Sequence, residues 1–155
     1  DPYLQRYSEN PYVNAVLAGK AAYAAHCGIV LESNVELGAV RLKTIEFCAI
    51  LNDMLTHAID CAEHSGAEEP RVRITALPVE NRITFEAVYS AQKKQKKRTP
   101  ATKSSVNDLV HKLFEPKKPQ VLGMEVVRGI LERYSGAMDL SAAGSSEILR
   151  IIINN

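Results

Sequence analysis

KTIEFCAILNDMLTHAIDCAEH, residues 43–64, is the stretch on which the reading of this chain turns. At 3.6 residues per turn, Phe47, Cys48, Leu51, Met54, Leu55, Ala58, Ile59 and Ala62 gather on one side of a helix. Asp53, His57, Asp60 and His64 gather on the other. The first side is built for a core. The second carries short acids and imidazoles where a solvated helix face usually carries lysine and glutamate, and so predicts a pocket wall. The competing reading is a plain solvated face. His57, Cys61 and His64, at i, i+4 and i+7, also stack on one side, which allows a transition-metal site if further ligands come from elsewhere.

Upstream, PYVNAVLAGKAAYAAHC (11–27) is Ala-rich with apolar residues at Val13, Val16, Leu17, Ala21 and Ala24, and predicts a helix stopped by Gly28. IVLESNVEL (29–37) alternates loosely and predicts a strand. Residues 1–10 have no period and are expected to be a linker from a preceding element. Downstream, RVRITALPVENRITFEAVYS (71–90) holds two period-2 runs that turn between Pro78 and Arg82, an antiparallel hairpin. Residues 91–119 are basic and poor in large apolar residues, and predict a long polar loop with a possible short helix over 106–114. VLGMEVVRGILERYSG (121–136) returns to helical spacing at Val121, Met124, Val127, Ile130, Leu131 and Tyr134. AMDLSA and EILRIII then predict a closing pair of strands around Gly144.

The composition is that of one globular domain: 155 residues, 46% hydrophobic and 24% charged. A formal charge of +1 gives no bulk attraction to nucleic acid or membrane. Lys93, Lys94, Lys96, Lys97, Arg98 and Lys103 have no aromatic residues between them, which argues against single-strand binding. Cys27, Cys48 and Cys61 fit no metal or redox spacing by themselves and read as buried free thiols of a reducing compartment. No apolar run reaches membrane-spanning length, and the first residue is not Met, as expected of a fragment of something longer.

Helix, strand, long helix, hairpin, long loop, helix, hairpin is the order of an α+β two-layer α/β sandwich, with a mixed, mostly antiparallel sheet under three main helices. This order resembles the Bergerat ATP-binding fold of gyrase, the heat-shock chaperones, histidine kinases and mismatch-repair ATPases. The likeness is to the catalytic domain of the quorum-sensing and citrate-sensor branches of sensor histidine kinases. SENPYVNAVLAGKAAYAAHCGI (8–29) resembles the segment that opens that domain, AILNDMLTHAIDCA (49–62) its N-box, and VLGMEVVRGILERYSGAMDL (121–140) its closing glycine-box helix.

The resemblance implies an ATP-binding domain over 11–155, with 91–119 as the lid over the nucleotide. It implies Mg²⁺ and ATP as cofactors, and a dimerising phosphoacceptor helix upstream and a response regulator as partners. The setting it implies is the cytoplasmic part of a membrane-bound sensor. Asp53, His57, Asp60, Ser90 and Gly123 fall at the nucleotide-binding positions, with Asp53 the candidate base and His57 at the metal position. The chain departs from the family there. His57 stands where an asparagine oxygen binds Mg²⁺, and Val121 and Leu122 precede a single Gly123 in place of paired glycines. Val88, Tyr89 and Ser90 occupy the place of the adenine reader, and only Ser90 is expected to hydrogen-bond a base. These departures imply a second reading, a degenerate interaction or signal-relay module with weak or no nucleotide binding.

Overall fold

The computed structural model describes residues 5–38, 41–92 and 124–154. In chain order they form α1 (Pro11–His26), β1 (Val30–Val35), α2 (Thr44–Glu63), β2 (Arg71–Val79), β3 (Arg82–Ser90), α3 (Glu125–Arg133), β4 (Ala137–Ala143) and β5 (Ser146–Asn154). The strands make one five-stranded sheet in the order β1-β2-β3-β5-β4. β1 and β2 run parallel and every other pair is antiparallel. The α+β architecture expected from the sequence is the one observed. The polar loop, except Ala91 and Gln92, lies outside the described residues, as do the helix expected over 106–114 and residues 121–123.

Local chemistry sets the helix ends. Asn10 caps α1: its Oδ1 accepts from the backbone N–H of Tyr12 at 2.9 Å and of Val13 at 3.2 Å, and Pro11 occupies the first turn. At the other end Gly28 takes φ +73°, which lets its N–H reach the Ala25 carbonyl while Ile29 N–H reaches Ala24. That pair of bonds is a Schellman motif, and glycine adopts its left-handed position without a Cβ penalty. α3 ends by the same route with Ser135 at φ 51° and Gly136 N–H on the Leu131 carbonyl at 2.7 Å. A Cβ on Gly136 would come within 2.8 Å of the Ile152 carbonyl, so this glycine allows the chain to pass close under β5.

The alternation of the strands puts Val72, Ile74 and Ala76 of β2, Ile83, Phe85, Ala87 and Tyr89 of β3, and Leu149, Ile151 and Ile153 of β5 on one buried sheet face. α2 lies on that face through Phe47, Ile50, Leu51, Met54, Leu55, Ala58 and Ile59, with the Phe47 and Phe85 rings 5.0 Å apart. Val13, Leu17 and Ala24 of α1 and Val127, Ile130 and Leu131 of α3 close the same core. Cys27, Cys48 and Cys61 are free, and the expectation of buried thiols is corrected: all three sit at the margin of the core, half-buried. Among the described residues no helix is long and apolar enough to cross a membrane.

Glu46 is the buried charged residue of this core, 8% exposed. Its carboxylate takes the Lys43 backbone N–H at 3.1 Å, the Arg133 guanidinium at 2.6 Å and the Tyr134 hydroxyl at 2.6 Å. One side chain thus caps α2 and ties its first turn to the end of α3.

Candidate functional site

Beyond its first turn, the polar side of α2 is not one uniform face. Asp53 and His57 are half-buried, whereas Asp60 and His64 are exposed. The split follows from what stands opposite. Asp53 and Thr56 look toward α1, where Lys20 Nζ donates to Thr56 Oγ1 at 2.8 Å. Burial pushes the Asp53 carboxyl above the usual carboxylate range, opposed by the Asn52 amide at 3.3 Å and the Lys20 charge and reinforced by Glu125. Burial lowers Lys20 in turn, against the pull of Asp53. Burial thus penalises the charged form of both groups, and each charge partly compensates the other.

One turn on, His57 reaches the sheet. Its Nε2 lies 3.0 Å from the Tyr89 hydroxyl, and the two rings meet edge to face at 5.4 Å. Tyr89 donates in turn to Glu147 Oε2 at 3.1 Å. A carboxylate only accepts, so the tyrosine proton belongs to Glu147 and the phenol oxygen accepts from His57 Nε2–H. Cys61 Sγ closes the group at 3.6 Å from the same Nε2. Burial lowers the His57 pKa despite Glu147 and Asp60, so the imidazole is neutral at pH 7. Burial, with Glu147 and Asp60 adding to it, pushes the Cys61 thiol up to about 11. Burial and the neighbouring Glu147 likewise raise Tyr89, which stays a neutral donor.

The remaining candidates lie elsewhere. Asp60 pairs with His64 one turn along: Nδ1 is 2.9 Å from the Asp60 carbonyl and 3.5 Å from its carboxylate, out in solvent. His64 therefore does not join His57 and Cys61, and Glu147 of β5 takes the third place expected for it. Ser90 alternates to the opposite face of the sheet, where its hydroxyl accepts from Arg71 N–H at 3.0 Å. It lines a shallow hollow of about 200 Å³ there with Glu32, Arg71 and Arg73, away from α2. The structure thus sets Asp53 beside Lys20 of α1 and His57 against Tyr89 of the sheet, and leaves Ser90 on the opposite sheet face. Gly123 and the lysines expected to roof the site lie outside the described residues.

Tyr89 and Glu147 are the residues that sequence reasoning passed over. Nothing in helical spacing points to a hydroxyl 32 residues away or to an acid on the last strand. Period-2 alternation sets Tyr89 on the same face as Phe85 and Ala87, a signal in the sequence that was not taken up.

The donor set around His57 is imidazole nitrogen, thiol sulfur, phenol oxygen and one carboxylate. Mg²⁺ takes oxygen ligands in near-octahedral geometry and keeps several waters. These residues do not fit Mg²⁺ at His57.

No protein-family model and no curated protein matches the chain. Among solved structures, the catalytic domain of histidine kinase ThkA in a nucleotide-free form superposes with a TM-score of 0.64 at 12% identity, over 97% of this chain and 94% of that one. Histidine kinase AdeS of Acinetobacter baumannii gives 0.61 at 20% identity, over 92% of this chain and 62% of that one. Full-length ShkA in complex with AMPPNP gives 0.57 at 16% identity, over 92% of this chain and 29% of that one. The fold is that of histidine kinase catalytic domains.

Proposed function

We propose that this chain is the ATP-binding-fold domain of a two-component sensor histidine kinase and acts there mainly as a signal-relay module, with weak or no Mg-dependent nucleotide binding. The observation that carries this reading is the state of His57. It stands at the N-box position of a metal-binding asparagine, and its Nε2 is engaged by Tyr89 at 3.0 Å and by Cys61 at 3.6 Å. Such a group neither replaces an amide oxygen nor turns freely toward a phosphate-bound ion. The partners on this reading are the upstream dimerisation helix of the parent protein and its response regulator, in the cytoplasmic part of a membrane-bound sensor. The assignment to the quorum-sensing or citrate-sensor branch rests on SENPYVNAVLAGKAAYAAHCGI.

A second reading, an active domain that binds Mg·ATP for transfer to a histidine upstream, is favoured by Asp53. This acid remains one turn before His57, half-buried, with Lys20 close by. Thermal unfolding of the chain with and without Mg·ATP separates the two, because a ligand specific to the folded state raises the melting temperature by mass action. The relay reading expects no shift at millimolar nucleotide in the native chain. A saturable, Mg-dependent rise would overturn it in favour of the active domain.

A further inference from the structure

We propose that His57, Cys61 and Glu147 form a binding site for a single tetrahedral, borderline-soft divalent cation of the zinc or cobalt class. The inference does not depend on whether the domain binds nucleotide.

The geometry is close to what such an ion needs. The imidazole nitrogen, the thiol sulfur and a Glu147 carboxylate oxygen all lie within 4.8 Å of one another. Zinc bonds of roughly 2.0–2.1 Å to nitrogen and 2.3 Å to sulfur, set at a tetrahedral angle, place those two ligands about 3.6 Å apart. His57 Nε2 and Cys61 Sγ already stand at 3.6 Å. The i, i+4 spacing on α2 fixes that edge, so the third ligand must come from outside the helix, and β5 supplies it. Three protein donors leave a fourth position for water or another group.

Charge and hydrogen bonding agree. A neutral imidazole, a thiolate and a carboxylate balance a dication, so the loaded half-buried site carries no net charge. Binding releases the Cys61 proton to solvent and moves the His57 proton to Nδ1, freeing Nε2 for the ion. Tyr89 keeps its bond to one Glu147 oxygen and so orients the carboxylate whose other oxygen can ligate, the role an outer hydrogen-bond donor plays in metal sites. The three exposed groups Asp60, Glu63 and His64 are also mutually close and provide the natural control. They are solvated surface side chains with no sulfur donor, and a weak adventitious ion would settle there.

Titration of the full chain with Co²⁺, displaced by Zn²⁺, tests the site. Expected is one equivalent bound, a thiolate-to-cobalt absorption band in the near ultraviolet, and a melting temperature that rises with metal concentration. Cys61→Ser should abolish the band while Cys27→Ser and Cys48→Ser retain it. Glu147→Gln, which keeps the shape, should weaken binding by more than the roughly tenfold expected of Tyr89→Phe, with circular dichroism unchanged. His64→Ala should leave the titration as it was. A band that survives Cys61→Ser, binding lost in His64→Ala, full affinity in Glu147→Gln, or no saturable binding of either metal would each overturn the proposal.

Discussion

Glu46 and Asp53 are carboxylates two turns apart on α2, and the groups around them have driven their pKa values in opposite directions. Burial pushes both upward. At Glu46 hydrogen bonds from Tyr134 and the Lys43 backbone, with the Arg133 charge, more than offset it, and the carboxyl ends below its ordinary range. At Asp53 a single amide contact at 3.3 Å and the Lys20 charge do not, and the carboxyl ends above it. The number of donors supplied by the fold decides the sign. Where donors are complete the acid is structural, a clamp between α2 and α3. Where they are incomplete the charged form of the acid is left penalised.

Removing the clamp should have the largest effect. Glu46→Ala leaves Tyr134 and Arg133 without their acceptor and uncaps α2. Because Arg133 is itself 64% exposed, the loss is expected at about 2–4 kcal/mol, read from denaturant unfolding. A loss below that range would mean the donors simply turn to water. The same contrast predicts the pH response. The Glu46 value is depressed in the fold, so its contribution is complete above the ordinary value of 4.5 and disappears as pH falls further. His57 is also lowered, so the unfolded chain takes up its proton first. Stability should begin to fall as pH drops beneath the ordinary histidine value of 6.5, and His57→Asn should flatten that part of the profile.

Two smaller effects sharpen the comparison. Ser135 adopts φ 51° in the turn that follows Arg133 and Tyr134, and Ser135→Gly relieves it. Its carbonyl still accepts from Asn154, so a gain of about 0.5–1 kcal/mol is expected in thermal unfolding. Asp53→Asn should have the smallest effect and the opposite sign to Glu46→Ala. It is slightly stabilising at neutral pH, where the charged form is penalised, and neutral below the ordinary aspartate value of 3.8. Equal effects for the two acids would erase the distinction drawn between them.

The helices and strands were legible because their signals are local. The stop at Gly28, the apolar stripe of α2 and the alternation of 71–90 each lie within a few residues, and these elements formed where the signals put them. The half-burial of His57 was not legible, since it depends on strands brought in by the sheet. Glu46 escaped notice for the same reason: its partners Arg133 and Tyr134 lie 87 and 88 residues away. Helical spacing suggested that His64 could join His57 and Cys61, but the same spacing also serves Asp60, and the exposed end of the helix favours the nearer partner.

The parallel pairing of β1 with β2 has a kinetic consequence. Val30 meets Arg71 only after the intervening chain, α2 included, has crossed over the sheet, whereas β2–β3 and β4–β5 are hairpins closed by short turns. Contacts between residues distant in sequence form slowly because the chain must lose its loop entropy before they reward it. The hairpins should therefore gain protection from amide exchange early in refolding, and β1 should join the sheet last.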